Sequence, residues 1–502
     1  MINWLKSQET ITEKQVKSGL RSLVIDGMCS QVMGVFTGGA FLVAFALLLG
    51  ASNKTIGLLA AIGPATQILQ IPAIYLVDRL RLRKALVVLT CIVGRFFWLV
   101  AAAIPWLLPE GMRVPVLLIA IAVYFGLGAI AGCAWNSWMR DFVPESIMGG
   151  FFAKRMAIST ALGAILSLGA GFGIDYFKTQ FSSELTVYSI LLAAGGLSGL
   201  FGCFFQMRIP EPVMAPVDDH GLMSLLAEPF RKGNFRQLLV FMGLWSFAVN
   251  LAAPFFTVYL LKRIGLSMTW VIGLSVLSQL VNVVFFRIWG KLADRYSNKS
   301  VPTVSGPLFI ISIAVWPFTT MPDSYFMTIP LLIAIHVLTG ISTAGVNLCA
   351  GNLALKAAPK GRATSYLAVN SLVCGIAATI APIIAGFGAD WFATKQMTVD
   401  LSWISGEVRQ TLPAIDIKGL DFLFILSVIM GFYALHRLLS VREEGEAEER
   451  VVFRELILET RKVVRHVSNV SGLRTLTYFP YQQLTKILPR RKDEEDVDDI
   501  DV

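Results

Sequence analysis

The sequence predicts an all-α polytopic membrane protein with twelve transmembrane helices in two pseudo-symmetric six-helix bundles. Hydrophobic residues make up 55% of the chain and charged residues 15%, whereas about a quarter of a soluble globular chain is charged. Apolar runs of roughly 20 residues, the length that crosses a bilayer, recur along about the first 440 residues. Several short phrases of the first half also return in the second half.

Twelve apolar windows, separated by charged or Pro/Gly breaks, define the predicted spans. In the first half they cover about residues 28–50, 56–77, 85–108, 114–135, 155–177 and 187–207. In the second half they cover about residues 237–260, 268–290, 302–321, 325–350, 363–389 and 419–439. The predicted organisation is an N-terminal segment, a six-helix bundle, a linker, a second six-helix bundle and a tail, at residues 1–27, 28–208, 209–236, 237–440 and 441–502.

Lys and Arg residues are concentrated in the loops that follow the even-numbered spans. These loops carry Arg79, Arg81, Arg83, Lys84, Arg140, Lys154, Arg155, Arg208, Arg231, Lys232, Arg236, Lys291, Arg295, Lys299, Lys356, Lys360 and Arg362. Because basic loops stay in the cytoplasm, both termini and the linker are predicted to be cytoplasmic, in a bacterial inner membrane. The same loops explain the net charge of +9, so the expected partner is the lipid bilayer and not nucleic acid.

Several classes of function lack their sequence signatures. The six cysteines lie in or beside apolar runs without metal-ligand spacing, so neither a metal site nor a cofactor is predicted. The N-terminus has no signal-peptide pattern. We find no P-loop, dinucleotide fingerprint or nucleophile–base constellation, which argues against an ATP-driven pump or an enzyme.

Three pairs of landmarks occupy the same place in each half. At an offset of 215 or 216 residues they are AGFGIDYF and AGFGADWF (170–177 and 385–392), Asp78 and Asp294, and Val143-Pro144 and Ala358-Pro359. Such a parallel duplication places a substrate site between the halves, near the middle of the membrane. Asp175 and Asp390 of the doubled phrase are expected either to cap an outer gate or to end their helices in water.

The loops after spans 2 and 8 carry a family resemblance. GKLADRYSNK (290–299) resembles the G-x-x-x-D-R-x-G-R-K loop of the major facilitator superfamily, with Gly290 and Asp294 in register. The first copy departs from that pattern, because Ile74 stands at the glycine position. The resemblance covers about residues 20–440. It implies a secondary transporter, expected to be monomeric, whose spans 1, 4, 7 and 10 line a central cavity.

The two Asp-Arg loops are candidate gating elements. Asp78 could accept from a helix N-terminus and pair with Arg140, and Asp294 could do the same opposite Lys356. Such contacts would close the cytoplasmic side. The alternative is that the basic residues only orient the spans. The candidate gating residues are Asp78, Arg79, Arg140, Asp294 and Arg295.

Polar residues within the apolar spans are the candidate substrate contacts, since a charge there costs roughly 2.5–3.5 kcal/mol. Arg95 in span 3 could neutralise an anionic substrate or bond to a neighbouring carbonyl. His336 in span 10 could relay a proton or be a satisfied core histidine. The neutral candidates are Gln31, Thr37, Gln67, Tyr124, Asn250, Gln279, Asn282, Asn347 and Asn370. Together they suit a hydroxyl-rich or zwitterionic small solute, although each amide could instead join helices.

The sequence therefore predicts a secondary or facilitative transporter of a small-molecule solute that works by alternating access. No Asp or Glu falls at the middle of a predicted span. A coupling proton or cation would thus depend on His336 or on Asp26, near the cytoplasmic end of span 1. Two alternatives stay open. One is a transporter of a lipid or lipid-linked substrate, and the other is a non-transporting sensor or assembly factor on the same scaffold.

The last sixty or so residues differ from the rest of the chain. Residues 443–467 have a charged amphipathic pattern, with Val452, Leu456, Val463 and Val467 on one face. An acidic run at 493–502 follows and is expected to be solvated. The amphipathic helix is expected to lie either on the inner membrane surface or over the cytoplasmic loops.

Overall fold

Helices dominate the described part of the chain, and eleven of them are long and apolar enough to cross a membrane. The computed structural model describes residues 7–181, 183–214, 228–320, 324–358, 363–405, 408–443 and 449–468. The predicted class, a helical polytopic membrane protein, is confirmed.

The spans follow one another in the predicted order. Spans 1 to 6 are Glu13–Leu48, Asn53–Leu80, Arg83–Leu107, Glu110–Phe142, Glu145–Phe177 and Glu184–Met207. Spans 7 to 12 are Gly233–Arg263, Met268–Arg295, Ser300–Ala314, Thr328–Ala357, Ala363–Phe392 and Asp421–Leu438. Span 9 is short because its α-helix gives way to a 3-10 turn at Trp316–Thr319, where Pro317 cannot donate a helical hydrogen bond.

Span 1 begins at Glu13 and not near residue 28 as predicted. Thr12 and Gln15 form a capping box that starts the helix. Asp26 is polar yet only 2% exposed, because it packs against other spans. A search for apolar windows misses the polar first turns of this helix. The boundary of the N-terminal segment therefore lies earlier than expected.

Two spans of the first half are interrupted near their middle. Span 1 bends between Thr37 and Gly39, and Gly39 has a φ of +53°, in the left-handed region that favours glycine. Span 2 changes from α-helix at Asn53–Thr66 to a 3-10 turn at Gln67–Leu69, then continues as Gln70–Leu80. Discontinuous spans are typical of transporter binding sites.

A β-hairpin between spans 11 and 12 is the element that the all-helical prediction lacked. Strand β1 (Gln396–Ser405) pairs antiparallel with strand β2 (Val408–Lys418). The sequence alternates apolar and polar residues along MTVDLSW (397–403), a period-two signal typical of a strand. The prediction passed over it because the stretch is too polar to span a membrane.

We name the two ends of the bundle by their charge. The basic side carries Arg79, Arg140, Arg231, Arg295 and Lys356 and is where spans 2 and 3, 4 and 5, and 8 and 9 are joined. The distal side is the opposite end, where spans 1 and 2, 5 and 6, and 7 and 8 are joined.

The tail helix, Glu449–Ser468, packs on the basic-side ends of spans 8 and 9. Its Val452 and Leu456 are buried beside Trp289 and Val301. The helix therefore packs on the transmembrane bundle through these two side chains. The side chains of Val463 and Val467 and the acidic run lie outside the described residues.

Candidate functional site

The distal side is closed by two carboxylates that cap helices of the opposite half. Asp175 of span 5 accepts from the backbone N–H groups of Met268 and Thr269, at 3.2 and 2.7 Å. Asp390 of span 11 accepts from the N–H of Lys54 at 3.1 Å. The capped residues begin spans 8 and 2, so each carboxylate satisfies free N–H groups at the positive end of a helix dipole. Both carboxylates of the doubled phrase are thus caps between the halves.

Glycines of the same repeated segments let spans 5 and 11 approach their neighbours closely. A Cβ added at Gly386 would lie 3.0 Å from the Cα of Lys54, closer than most real Cβ contacts. The equivalent Gly171 has more room, since its Cβ would lie 3.5 Å from the Cα of Thr269. The seam between spans 2 and 11 is therefore tighter than the seam between spans 5 and 8.

Spans 2 and 11 separate toward the basic side. They pack along Asn53–Thr66, whereas Gln70–Leu80 of span 2 packs against span 4 instead. A cleft of about 630 Å³ lies between the two spans. Apolar side chains dominate its lining, and the polar members are Gln67, Gln70, Ser371 and Thr379. The two halves are thus closed on the distal side and apart on the basic side at this seam.

A smaller and more polar cavity, of about 330 Å³, lies inside the first half. Spans 1, 3, 4, 5 and 6 line it, and the small residues Gly128, Ala131 and Gly132 of span 4 leave the space open. Its main polar side chains are Asp26, Ser30, Arg95, Tyr124, Arg155 and Gln206. We refer to it below as the polar cavity.

Arg95 makes most of the polar contacts in the polar cavity. Its guanidinium donates to the Gly199 carbonyl of span 6 and, at 3.1 Å, to the Ser30 hydroxyl. It lies 3.6 Å from the Asp26 carboxylate, and both charged groups are buried. The predicted bond to a carbonyl is present. Asp26 is a further partner, and because span 1 starts at Glu13 it lies well inside the span and not near its end.

Arg155 brings a second cation to the polar cavity. Its Nε donates to the Leu23 carbonyl at 3.2 Å, and the guanidinium lies over the Trp135 ring, 5.6 Å from the centroid. It makes no ion pair within the part of the chain that the structure describes. The sequence predicts that span 5 starts near residue 155, which puts Arg155 in a loop, whereas the span starts at Glu145.

Gln206, at the end of span 6, is the least satisfied polar group of the cavity. The side chain is 3% exposed, and its Oε1 has no hydrogen-bond partner in the described structure. Its amide lies beside the Asp26 carboxylate. Sequence reasoning passed over it because a glutamine at a span end is commonly solvated.

Several predicted substrate contacts are instead bonded within the helix bundle. Thr37 donates to the Met33 carbonyl, Asn250 to the Ser246 carbonyl and Asn282 to the Thr343 hydroxyl, and His336 Nδ1 lies 2.8 Å from the Leu332 carbonyl. Gln31 packs against Gly163 of span 5. These contacts favour roles in helix packing.

The remaining candidates line a cavity, are exposed or lack a hydrogen-bond partner among the described residues. Gln67 accepts from Gln70 in the cleft between spans 2 and 11. Tyr124 lines the polar cavity, in edge contact with Trp98 at 5.0 Å. Gln279 and Asn347 are exposed, and the Asn370 Oδ1 is buried with no partner in the described structure. The structure thus does not gather the predicted amides into one site.

The predicted gating contacts are not formed in this conformation. Among the described residues, Asp78 makes no ion pair with Arg140, and Asp294 makes none with Lys356. Lys356 lies 3.4 Å from Glu443, and Arg295 lies 3.3 Å from Glu455 of the tail helix. Arg79, Arg140 and Asp294 are exposed. In this conformation carboxylates after span 12 contact Lys356 and Arg295, and the two pairings stay predictions for a state whose cytoplasmic side is closed.

A buried arginine holds the basic side of the first half together. Arg83 is fully buried, pairs with Asp141 of span 4 and lies 3.6 Å from Glu211, which follows span 6. Glu211 also accepts from the Arg83 N–H at 2.8 Å. Burial raises the pKa of the Glu211 carboxyl, although backbone N–H groups of Arg83 and Lys84 donate to it. In the second half, Glu443 accepts from the Lys299 N–H at 2.7 Å, so each half ties the segment after its sixth span to the start of its third.

Comparison with known proteins agrees with this architecture. The profile of the Major Facilitator Superfamily matches residues 27–404. The fold is similar to the nucleoside transporter NupG (TM-score 0.61, 15% identity, 85% of this chain and 98% of that chain covered). It is also similar to a bacterial homologue of the human lysosomal transporter Spinster (0.61, 13%, 86% and 97%) and to a D-xylose-proton symporter (0.56, 13%, 86% and 98%). A search among curated proteins found no similar sequence. With a family match over most of its length and two six-helix halves, this chain belongs to the major facilitator superfamily of secondary transporters.

Proposed function

We propose that the chain moves a small polar solute across the cytoplasmic membrane by alternating access, as a monomer, and that the structure is its cytoplasm-open state. The observation that supports this is the contrast between the two ends of the bundle. Asp175 and Asp390 cap the distal seams, while spans 2 and 11 separate on the basic side. The positive-inside rule assigns the basic side, with both termini, to the cytoplasm. The similar Spinster homologue was solved in an inward-facing conformation.

In the proposed cycle the two halves rock against each other. Opening the distal side releases both caps, and Asp175 and Asp390 then face water. An N-cap contributes roughly 0.5–2 kcal/mol. Two caps therefore hold the distal side closed by an amount that solute binding can offset, because interconverting states differ by only a few kcal/mol.

Asp26 is the residue that we assign to coupling, if a proton gradient drives the solute. It is a buried carboxylate inside span 1 and faces Arg95, so a proton on Asp26 would break the charge balance of that pair. His336 is bonded to its own helix through Nδ1, which favours a packing role. We expect Asp26→Asn to keep exchange of solute across the liposome membrane and to lose stimulation by a proton gradient. Equal stimulation in the variant would exclude Asp26.

Uptake into proteoliposomes tests the transport itself. The panel comprises nucleosides, sugars, amino acids and hydroxy acids, with and without a proton gradient. In parallel, spin labels at Gln180 and Lys262 report the distal side, and labels at Lys154 and Arg287 report the basic side, since all four residues are exposed. We expect a short distal and a long basic-side distance, and the reverse when a transported solute is added. No flux of any solute and no change in either distance would overturn the proposal in favour of a sensor or assembly role.

The cleft between spans 2 and 11 supports a second candidate, a lipid-like substrate. Ile68 and Ile376 line it and are about half exposed, and its polar groups are neutral. Such a lining suits an acyl chain with an uncharged head group. Movement of a fluorescent lysolipid between the leaflets of the same proteoliposomes, without uptake of any solute, would favour this candidate.

A further inference from the structure

We infer that the polar cavity of the first half binds a small carboxylate that carries a hydroxyl or amino group on the neighbouring carbon. The inference rests on the proposed function and names the substrate class. It follows from three features of the cavity: an uncompensated cation, an unpaired acceptor and an apolar remainder.

The uncompensated cation is Arg155. Arg95 already faces Asp26 at 3.6 Å, so that pair is close to neutral. Arg155 contacts a carbonyl and an aromatic face and is also attracted by Asp26. Two arginines thus share one carboxylate, which leaves the cavity with one positive charge in excess. A guanidinium within a membrane span is costly unless it is paired. A carboxylate is its natural partner, because the planar guanidinium can donate two parallel hydrogen bonds to one.

The unpaired acceptor is the Oε1 of Gln206. The atom is buried, and the Gln206 residue lines the same cavity. A buried acceptor without a donor lowers stability. Arg155 and Gln206 together therefore fit a ligand that presents an anion at one point and a hydrogen-bond donor at another. A hydroxyl or amino group beside a carboxylate meets both needs.

The remaining wall suits an apolar body. Met33, Val87 and Ala131 line the cavity, and its volume of about 330 Å³ lies at the small end of ligand pockets, which start near 300 Å³. A short aliphatic chain on the carboxylate would fill this part. The ligand that fits best is an aliphatic amino or hydroxy acid.

Glycines hold both guanidinium groups in place. A Cβ at Gly27 would lie 2.6 Å from Arg155 Nε, and a Cβ at Gly202 would lie 3.0 Å from Arg95 Nη1. Each arginine therefore packs directly on the backbone of a neighbouring span. The positions of the charges are thus defined by close packing and not by flexible side chains at a surface.

The test measures binding to the purified full chain in detergent, by thermal shift, with four compounds of one carbon skeleton. L-Leucine and 2-hydroxy-4-methylpentanoate have both groups. 4-Methylpentanoate lacks the donor, and leucinamide lacks the carboxylate. We expect the first two to bind and 4-methylpentanoate to bind about five- to tenfold more weakly, the effect of one lost hydrogen bond to a buried acceptor. Leucinamide is expected not to bind. Whichever of the first two compounds binds more tightly shows whether the donor to Gln206 is an amino or a hydroxyl group.

Variants assign the contacts to named residues. Gln206→Met keeps the size of the side chain without its acceptor, so leucine and 4-methylpentanoate should bind it equally. Arg155→Met should lose binding of every carboxylate. Lys154→Met removes the exposed cation next to it and serves as the matched control, with wild-type binding expected. The unliganded melting temperature of each variant shows whether it is folded, and Arg155→Lys supplies a second variant if Arg155→Met is not.

Three outcomes would overturn the inference. They are no binding of any of the four compounds at millimolar concentration, equal binding of leucine and 4-methylpentanoate to the wild type, and unchanged binding in folded Arg155→Met. Binding in detergent needs no translocation, so a chain that binds leucine without uptake contradicts only the proposed transport. A chain that transports another solute and binds none of the four contradicts only this inference.

Discussion

The two halves of the molecule share their landmarks but differ in where they keep their charges. In the first half, charged groups are buried together: Asp26 with Arg95, and Arg83 with Glu211. In the second half, Lys418–Asp416 lies in the hairpin, and the other described ion pairs lie at the ends of spans, as Arg263 with the buried Asp421, Lys291–Glu459, Arg295–Glu455 and Lys356–Glu443. The seams between the halves are alike in their carboxylate caps, whereas among the described ion pairs only Asp26–Arg95 lies deep within the spans. The second half is tied instead to the tail helix.

The largest expected effect comes from breaking the buried pair of the first half. Arg83→Met removes the guanidinium that pairs with the Glu211 carboxylate, which is 1% exposed, although Lys84 still attracts it. Removing one partner of a buried pair costs about 3–5 kcal/mol, which thermal unfolding in detergent would detect. The matched control is Lys356→Met in the second half, whose side chain is 61% exposed, and about 1 kcal/mol or less is expected there. Similar losses in both variants would contradict the contrast between the halves.

The next largest effect is expected to differ between the seam of spans 2 and 11 and the seam of spans 5 and 8. Gly386→Ala places a methyl group 3.0 Å from the Lys54 Cα, whereas the equivalent Gly171→Ala meets only ordinary contacts at 3.5 Å. Overpacking of this kind costs about 1–3 kcal/mol, so Gly386→Ala should lengthen the distal distance between labels at Gln180 and Lys262. Gly171→Ala should leave it unchanged. An equal response of both variants would mean that the seams are equally tight.

Removing the caps should have a smaller effect, and an unequal one. Asp175 accepts two N–H groups and Asp390 one in the described structure, so Asp175→Ala should open the distal side more than Asp390→Ala. At about 0.5–2 kcal/mol per cap, the ratio of distal-open to distal-closed molecules should rise about two- to thirtyfold. The label distances measure it, and the double variant should be roughly additive, because the caps lie in separate seams. A larger effect of Asp390→Ala would reverse the assigned order.

The smallest effect is expected at the tail helix. Glu455→Gln with Glu459→Gln removes two pairs whose basic partners, Arg295 and Lys291, are 64% and 72% exposed. Exposed pairs contribute about 0–1 kcal/mol each, so the helix should stay bound through Val452 and Leu456. Limited proteolysis between span 12 and the helix measures release. Leu456→Ser, which removes a buried contact, is the control that should release it, and release by the double Gln variant alone would show that charge holds the tail.

Much of the fold could be predicted because the membrane imposes length and polarity on each span. The spans, their order and the duplication followed from apolar windows and from repeated phrases. The hairpin of β1 and β2 and the early start of span 1 did not, because an apolar window has no signal for a strand outside the membrane or for a helix whose polar residues have protein partners. The assignment of Arg155 to a loop was a consequence of the same limit.

The candidate site was predicted less well, and Thr37 and Asn282 show why. Both residues are polar and lie inside apolar spans, as a substrate contact would, yet Thr37 donates to Met33 and Asn282 to Thr343. Which neighbour a side chain contacts depends on how the helices rotate and pack. The hydropathy pattern of one sequence does not contain that information. Arg95 is conspicuous in the sequence as a charge within an apolar span, but its partner Asp26 lies 69 positions away.

By itself the sequence determined that this chain crosses the membrane many times, that its halves are related, and that it resembles the major facilitator superfamily. These are properties of local hydropathy and of repeats, which need no knowledge of contacts. Only the tertiary structure decided that Asp175 and Asp390 cap helices of the opposite half, and that Arg155 and Gln206 share a cavity. Caps and cavities depend on distances between residues far apart in the chain, and those distances are set by how the helices pack.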